Sequence, residues 1–445
     1  MKRPLILLAL LPLGLWSIFT LPDLLAANPG FWDWRRVLVH LSGVLALWWM
    51  STGMVLAARP LWLEKRLGGL DKLYRLHKYL GIGSGILVFS HWMIEWLPKK
   101  LAKLGWIPPR PRGPKGMQDM WLSLAKDVGE WAGYILLALV VIALIRRIPY
   151  RYFRLVHKAF GLIFLAGVFH GLMLMPASFW QQPLGWLTVA LALAGAITAL
   201  LSLSNRIGRK QQHPAQIESI KQHQNQVLEI VCRPHAGWPG HRAGQFLFAD
   251  FGQPGEGAHP FTIASAWNPQ LGTLTLAIKA LGDFTAKLPD LLQPGSRLML
   301  EGPYGSFDFG AFEPVHRSTL GSSLLPAHQI WVAGGIGITP FLARLNERAA
   351  TPSLKADTDL FYCTPQSLDF PDHLETLCQS AGVRLHRRLT DQQGPLKATE
   401  IQACLKPGSS VWFCGPAAWG HSLAQKLTSF GLPRTAFHQE AFEFR

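Results

Sequence analysis

The chain has 445 residues, a formal net charge of +16, 49% hydrophobic residues and a mean hydropathy of +0.17. Residues 1–210 hold 25 Lys+Arg against 8 Asp+Glu, or +17, while residues 211–445 hold 18 against 19, or −1. The basic half is also the apolar half, so the surplus reads as membrane topology, and no basic stripe interleaved with aromatics marks a nucleic-acid groove in the second half.

Six spanning helices are predicted, at about 5–22, 37–58, 74–97, 131–147, 154–175 and 183–203. The segment Arg59 to Lys78 carries six basic residues and Arg146 to Lys158 carries five, and Arg206, Arg209 and Lys210 follow the last helix. With Lys2 and Arg3, these regions face the cytoplasm by the positive-inside rule. Residues 98–129 carry seven basic and two acidic residues and fall on the outer side, against the rule. The first segment has the charged start, apolar run and Ala26-Ala27 end of a signal peptide, and is read as an uncleaved helix.

Four histidines lie on two of these apolar segments: His77 and His91, fourteen residues apart, and His157 and His170, thirteen apart. At ~1.5 Å rise per residue each pair spans roughly 20 Å of helix, within a bilayer core of ~30 Å. Pairing across the helices gives His77 with His157 near the cytoplasmic side and His91 with His170 near the outer side. Isolated histidines hydrogen-bonded inside a bundle are the alternative, but four at matched depths favour two stacked bis-histidine metal sites. Thirteen residues are ~3.6 turns, so His170 is out of phase with His157 and requires a π-bulge or kink near Gly161 or Gly167, or a tilted helix. His40 has no matched partner and is read as a packed residue, as are Phe164 and Phe169.

From about residue 213 the pattern changes to short strands and turns. His259-Pro260-Phe261-Thr262 follows a strand that begins at Gly244-Gln245-Phe246. Lys279 to Thr285 ends a strand and opens a helix, an arrangement that suits a diphosphate. Glu301-Gly302-Pro303-Tyr304-Gly305 reads as a closing turn. A buried strand, Ile330 to Ala333, runs into Gly334-Gly335-Ile336-Gly337-Ile338-Thr339-Pro340, the strand, glycine turn and helix start that hold a dinucleotide. Strands at Asp359–Cys363 and Val411–Phe413 follow, the latter ending in Cys414-Gly415-Pro416. The five cysteines form no CxxC or plant-ferredoxin run, so neither a disulfide framework nor an iron–sulfur cluster is expected.

The order of these motifs, with the histidine spacings of fourteen and thirteen, resembles the ferric reductase/NADPH oxidase family, in its minimal bacterial form, over nearly the whole chain. The resemblance implies three domains: a six-helix transmembrane di-haem domain over 1–208, an antiparallel β-barrel FAD domain over 213–320, and an α/β nucleotide-binding domain over 325–445. It implies two b-type haems on His77/His157 and His91/His170. Phe261 and Thr262, within His259-Pro260-Phe261-Thr262, would contact the flavin, with Thr262 near its reactive ring. Lys279, Gly282 and Thr285 would hold the FAD diphosphate. Gly334, Gly335, Gly337, Thr339 and Pro340 would line the nucleotide diphosphate site, and Cys414, Gly415 and Pro416 would flank the nicotinamide. Phe442, or else Phe444, would stack on the flavin.

The implied activity carries electrons from cytosolic NAD(P)H through FAD and two haems to an acceptor outside. That acceptor is oxygen, giving superoxide, or alternatively a ferric chelate or a periplasmic redox protein. The implied place is the inner membrane of a bacterium, and no obligatory protein partner is expected. In family oxidases a histidine one turn beyond the outer ligand helps form an oxygen site; here that position is Glu95, and Arg35 or Arg36 is placed to compensate. The second α/β strand ends at Cys363-Thr364 without the acid that binds a ribose 2′-hydroxyl, which leans toward NADPH over NADH, with Arg387 or Arg388 as phosphate partners.

Overall fold

The computed structural model describes residues 2–111, 119–145, 150–223, 226–307, 309, 328–351, 356–368 and 370–440. The chain divides into two compact units, Met1–Leu67 with Lys72–Ile207, and Gly68–Asp71 with Gly208–Arg445.

The first unit is helical: α1 (Lys2–Phe19), α2 (Leu21–Ala26), α3 (Phe31–Ala57), α4 (Leu61–Leu67), α5 (Leu70–Lys103), α6 (Met120–Leu144), α7 (Tyr150–Met173) and α8 (Pro183–Leu203). Five of these, α3 and α5 to α8, contain stretches long and apolar enough to cross a membrane, while α1 offers only the shorter apolar run Pro4–Phe19. Six spans were expected; the first is the short one. The fourth begins at Met120 rather than at residue 131, because Asp119 caps the helix by accepting from the Trp121 N–H at 2.9 Å. Lys126, Asp127 and Glu130 hide that early start in a hydropathy reading. α3 packs on α8 and α7, and α6 on α7. Leu47, Phe164, Val168, Ala192 and Ala199 form one buried cluster, with Phe164 closing on Gly195.

The second unit opens with six strands: β1 (Gln212–Gln222), β2 (Val227–Pro234), β3 (Phe246–Asp250), β4 (His259–Thr262), β5 (Leu274–Lys279) and β6 (Arg297–Tyr304), with α9 (Asp283–Leu291) before the last. They pair antiparallel in the order β4-β3-β6-β1-β2-β5, and a bridge between Ile263 and Leu276 draws the two edges together into a nearly closed barrel. The segment read as a closing turn, Glu301 to Tyr304, is strand: Tyr304 pairs with Phe246 and Glu301 with Phe248. A register irregularity there, with Gly302 at φ +148, gives the segment its turn-like composition.

The chain continues with β7 (Gln329–Gly334), α10 (Thr339–Ala350), β8 (Thr358–Thr364), α11 (Leu374–Ala381), β9 (Arg384–Leu389), α12 (Thr390–Gln393), α13 (Ala398–Gln402), β10 (Ser410–Cys414), α14 (Ala417–Ser429) and β11 (Phe437–Glu440). These strands form an all-parallel sheet, β11-β10-β7-β8-β9. β8 and β10 are buried at every position, as strands covered on both faces are. One core cluster joins barrel residues such as Ala264 and Ala277 to Trp331, Phe341 and Trp412 of the α/β part.

Candidate functional site

In the helical unit the four histidines meet as expected. The ring centres of His77 and His157 lie 5.9 Å apart, and those of His91 and His170 lie 6.2 Å apart, with near-perpendicular planes of 68° and 87°. Two bonds of ~2 Å to a shared metal, plus ~1 Å from each nitrogen to its ring centre, place a pair of axial imidazoles ~6 Å apart.

Hydrogen bonds fix which nitrogen is left over. His77 Nδ1 donates to the Gly53 carbonyl at 2.9 Å, His91 Nδ1 to the Val39 carbonyl at 3.0 Å, and His170 Nδ1 to the Ala125 carbonyl at 2.8 Å. The two acceptors on α3 stand as far apart along their helix as the two histidines do along α5. Three rings are thereby held in the tautomer with a lone pair on Nε2, the outer-shell arrangement usual for metal-binding imidazole. His157 Nδ1 is buried without a partner among the described residues, and its ring stacks on Phe153 with centres 5.0 Å apart. Of the π-bulge, kink or tilt expected for α7, the π-bulge is not present, for the element is an uninterrupted α-helix. His170 instead leans toward α6. A Cβ on Gly129 would lie 1.9 Å from His170 Nδ1, so only glycine lets α6 come close enough to offer its carbonyl.

Beyond His91, Glu95 is held on two sides. Arg35, its side chain 10% exposed, pairs with the Glu95 carboxylate and donates to its carbonyl at 2.9 Å, and Lys99 pairs with the other carboxylate oxygen. Of the two arginines, Arg35 is the one that reaches Glu95, while Arg36 pairs with Asp33 at 3.4 Å. His40 is half-buried and makes no hydrogen bond among the described residues.

In the second unit a cleft of about 720 Å³ lies between the barrel and the α/β sheet. It gathers His259, Pro260, Phe261, Thr262, Lys279 and Thr285 from one side and Gly334, Gly335, Gly337, Thr339, Gly415 and Pro416 from the other. Gly282, Pro340 and Cys414 do not line it. Gly282 caps α9, Pro340 occupies the first turn of α10, and Cys414 is fully buried behind the glycine turn. A Cβ on Gly337 would lie 2.3 Å from the Cys414 carbonyl oxygen, so the turn packs directly on the end of β10. Burial holds the Cys414 thiol well above its ordinary range, so it is a neutral group there. Phe442 and Phe444 lie outside the described residues.

The two threonines of the cleft differ. Thr285 Oγ1 accepts from the N–H groups of Leu281 and Gly282 at 3.0 and 3.2 Å, so it holds the helix start. Thr262 is 6% exposed and its Oγ1 has no partner among the described residues. A buried hydroxyl on a cleft wall without a partner fits a polar ligand edge. Sequence reasoning missed Trp419, Thr390, Pro395 and Leu396, which also line the cleft. Trp419 follows the Cys414-Gly415-Pro416 turn by one helical step and packs edge-on against Phe413; its place one turn into a helix after a glycine turn was the signal.

A multi-helix membrane unit joined to a barrel and a parallel sheet that share a cleft defines a membrane-bound, ferredoxin-reductase-like architecture. Residues 42–168 match the ferric reductase like transmembrane component, and residues 212–308 match the FAD-binding domain. Relatives include the carnitine monooxygenase reductase subunit of Escherichia coli (strain K12), 32% identical over 27% of this chain and 37% of that one. NADPH oxidase 4 of Homo sapiens is 30% identical over 30% of this chain and 24% of its own. Ferric reduction oxidase 4 of Arabidopsis thaliana is 32% identical over 24% and 14%. The matches span well under half the length of each of these relatives. The chain thus joins a ferric reductase like transmembrane component to an FAD-binding domain, has NADPH oxidases and ferric reduction oxidases among its relatives, and is a multi-pass membrane protein.

Proposed function

We propose that this chain is a transmembrane oxidoreductase that takes electrons from cytosolic NAD(P)H and delivers them to oxygen on the outer side, forming superoxide. The observation that carries this reading is the pair of facing histidine pairs, three of whose rings are fixed with Nε2 free. We assign two b-type haems to them, His77 with His157 and His91 with His170. FAD and haem would supply, respectively, conversion of a hydride donor into single-electron output and one-electron carriage through the bilayer. The chain's own residues bind and orient. Thr262 offers its hydroxyl to the flavin, and Lys279 with the α9 start faces the FAD diphosphate. Gly335, Gly337 and Thr339 present the α10 start to the nucleotide diphosphate, and the neutral Cys414 backs the nicotinamide position. The proposed domains are 1–208, 213–320 and 325–445, with the last two in the cytoplasm of a bacterial cell.

A second reading, reduction of a ferric chelate, is favoured by one observation. Where an oxidase would offer a histidine, Glu95 is locked between Arg35 and Lys99.

The test is anaerobic addition of NADH or NADPH to the detergent-purified protein while recording visible spectra, then admission of air with a superoxide probe. Reduced low-spin b-type bands followed by fast reoxidation with superoxide support the oxidase. Slow reoxidation that a ferric chelate accelerates supports the second reading. The lack of any haem band in protein purified with haem supplied would overturn both.

A further inference from the structure

At the end of the cleft farthest along the parallel sheet, none of the described lining residues is charged. Its wall there is Cys363 and Pro365 at the end of β8, Thr390 of α12, and Pro395 and Leu396 before α13. A sheet of this type receives a dinucleotide across the carboxyl ends of its strands, with the adenosine ribose near the end of the second strand, here β8. NADPH differs from NADH only by a phosphate on that ribose. A phosphate moved from water into a cleft needs charged donors, and an arginine fork is the best suited.

Two arginines stand beside this end. Arg387 and Arg388 of β9 pair in register with Tyr362 and Cys363 of β8. Both are committed elsewhere. Arg387 pairs with Glu375 of α11 at 3.3 Å. Arg388 forms an ion pair with Glu400 of α13. Its Nη1 also donates to the Gln393 carbonyl at 3.0 Å and to the Gly394 and Pro395 carbonyls at 3.4 Å. Arg388 therefore ties the end of β9 to the wall of the cleft, while Glu400 neutralises and orients its guanidinium. The lining residues at this end offer a hydroxyl, a thiol and apolar surface. Those suit a neutral ribose and would leave a phosphate without charged partners.

We propose that this cleft selects NADH over NADPH, with Glu400 as the positioning residue that keeps the Arg388 charge from a ribose 2′-phosphate. This reverses the lean toward NADPH drawn from the missing acid at the end of β8, and it rests on the reading of the cleft as a nicotinamide-dinucleotide site.

The test is calorimetric titration of the full-length protein in detergent with ADP-ribose and with its 2′-phosphorylated form. The unphosphorylated ligand is expected to bind at least about tenfold more tightly, a difference of ~1.4 kcal/mol. In Glu400→Gln the gap is expected to shrink several-fold, because Arg388 keeps its carbonyl contacts but gains uncompensated charge. Equal or tighter binding of the phosphorylated ligand to the wild type overturns the selectivity and leaves the dinucleotide site standing. An unchanged gap in a folded Glu400→Gln overturns the role of Glu400. If neither ligand binds, the reading of the cleft falls and the proposal falls with it. Anaerobic flavin bleaching by NADH and NADPH should rank the two nucleotides in the same order.

Discussion

Histidines of the helical unit and of the parallel sheet are held in opposite ways, and the contrast separates rings with a nitrogen to spare from rings tied to a carboxylate. In the membrane unit His77, His91 and His170 give Nδ1 to backbone carbonyls and, among the described residues, make no hydrogen bond through Nε2. In the parallel sheet His328 and His386 direct Nε2 to Asp359, at 2.6 and 2.8 Å, and Arg384 forks onto both carboxylate oxygens at 2.9 and 2.8 Å. Asp359, His386 and Cys404 lie close enough together to resemble a metal set. Yet each oxygen of Asp359 already accepts two hydrogen bonds, and Arg384 supplies the positive charge a cation would bring. What a ring leaves unbonded, rather than how many ligating residues gather, marks the site.

His91→Ala breaks the contrast most directly. It should remove the outer haem and halve the haem content, while flavin reduction and the inner haem spectrum persist. Haem quantification and anaerobic reduction spectra check it. Wild-type electron delivery to an external acceptor by the variant would sink the stacked-pair assignment. Gly129→Ala is the subtler version, because its Cβ would meet His170 Nδ1 at 1.9 Å. It should disturb the outer haem spectrum selectively, with loss of ~3 kcal/mol if the helix cannot shift. An unaltered outer haem spectrum would mean that the Ala125 contact does not set the ring.

Asp359→Asn probes the other setting. Burial alone would raise the Asp359 carboxyl, but hydrogen bonds from Arg384, His386 and His328 overcome it and hold the group well below the usual carboxylate range. A depressed folded-state value stabilises above the unfolded value of ~3.9 and is lost as pH falls below it. The second unit of the wild type should therefore lose stability on acidification below about pH 4, and Asp359→Asn should lack that component while costing ~3 kcal/mol near neutrality. Thermal unfolding against pH measures both, and the haem bands should not change.

The same contrast explains what was legible in the sequence. Histidines inside apolar helices stand out because nothing around them is polar, and the glycine turn before Thr339 announces a phosphate-binding helix start. Apart from Ser42, whose hydroxyl meets His91 Nδ1 at 3.1 Å, the partners that fix the rings are backbone carbonyls of Val39, Gly53 and Ala125, which have no residue signature. The Asp359 hub joins positions from 328 to 386 that become neighbours only once β7, β8 and β9 lie parallel. Glu301 to Tyr304 read as a turn because Gly and Pro dominate its composition, although the bulge accommodates them within a strand. Arg387 and Arg388 looked like phosphate partners by position alone. Their carboxylates, Glu375 and Glu400, sit on helices that the strand pattern did not locate.

The finest form of the comparison lies within the cleft, between two threonines that the family resemblance sets at opposite parts of the flavin cofactor. Thr285→Val removes an acceptor from two backbone N–H groups and should cost about 1 kcal/mol of barrel stability, as the loss of a helix cap does. Thr262→Val removes a hydroxyl that has no partner among the described residues, so stability without flavin should stay within ~0.5 kcal/mol. If Thr262 faces the flavin, its loss should instead weaken FAD retention, because the ligand then loses a hydrogen bond of roughly 1 kcal/mol. Unfolding midpoints of the flavin-free protein and FAD dissociation measured by flavin fluorescence separate the two effects. A Thr262→Val protein that holds FAD as tightly as wild type would show that its free hydroxyl does not face the ligand.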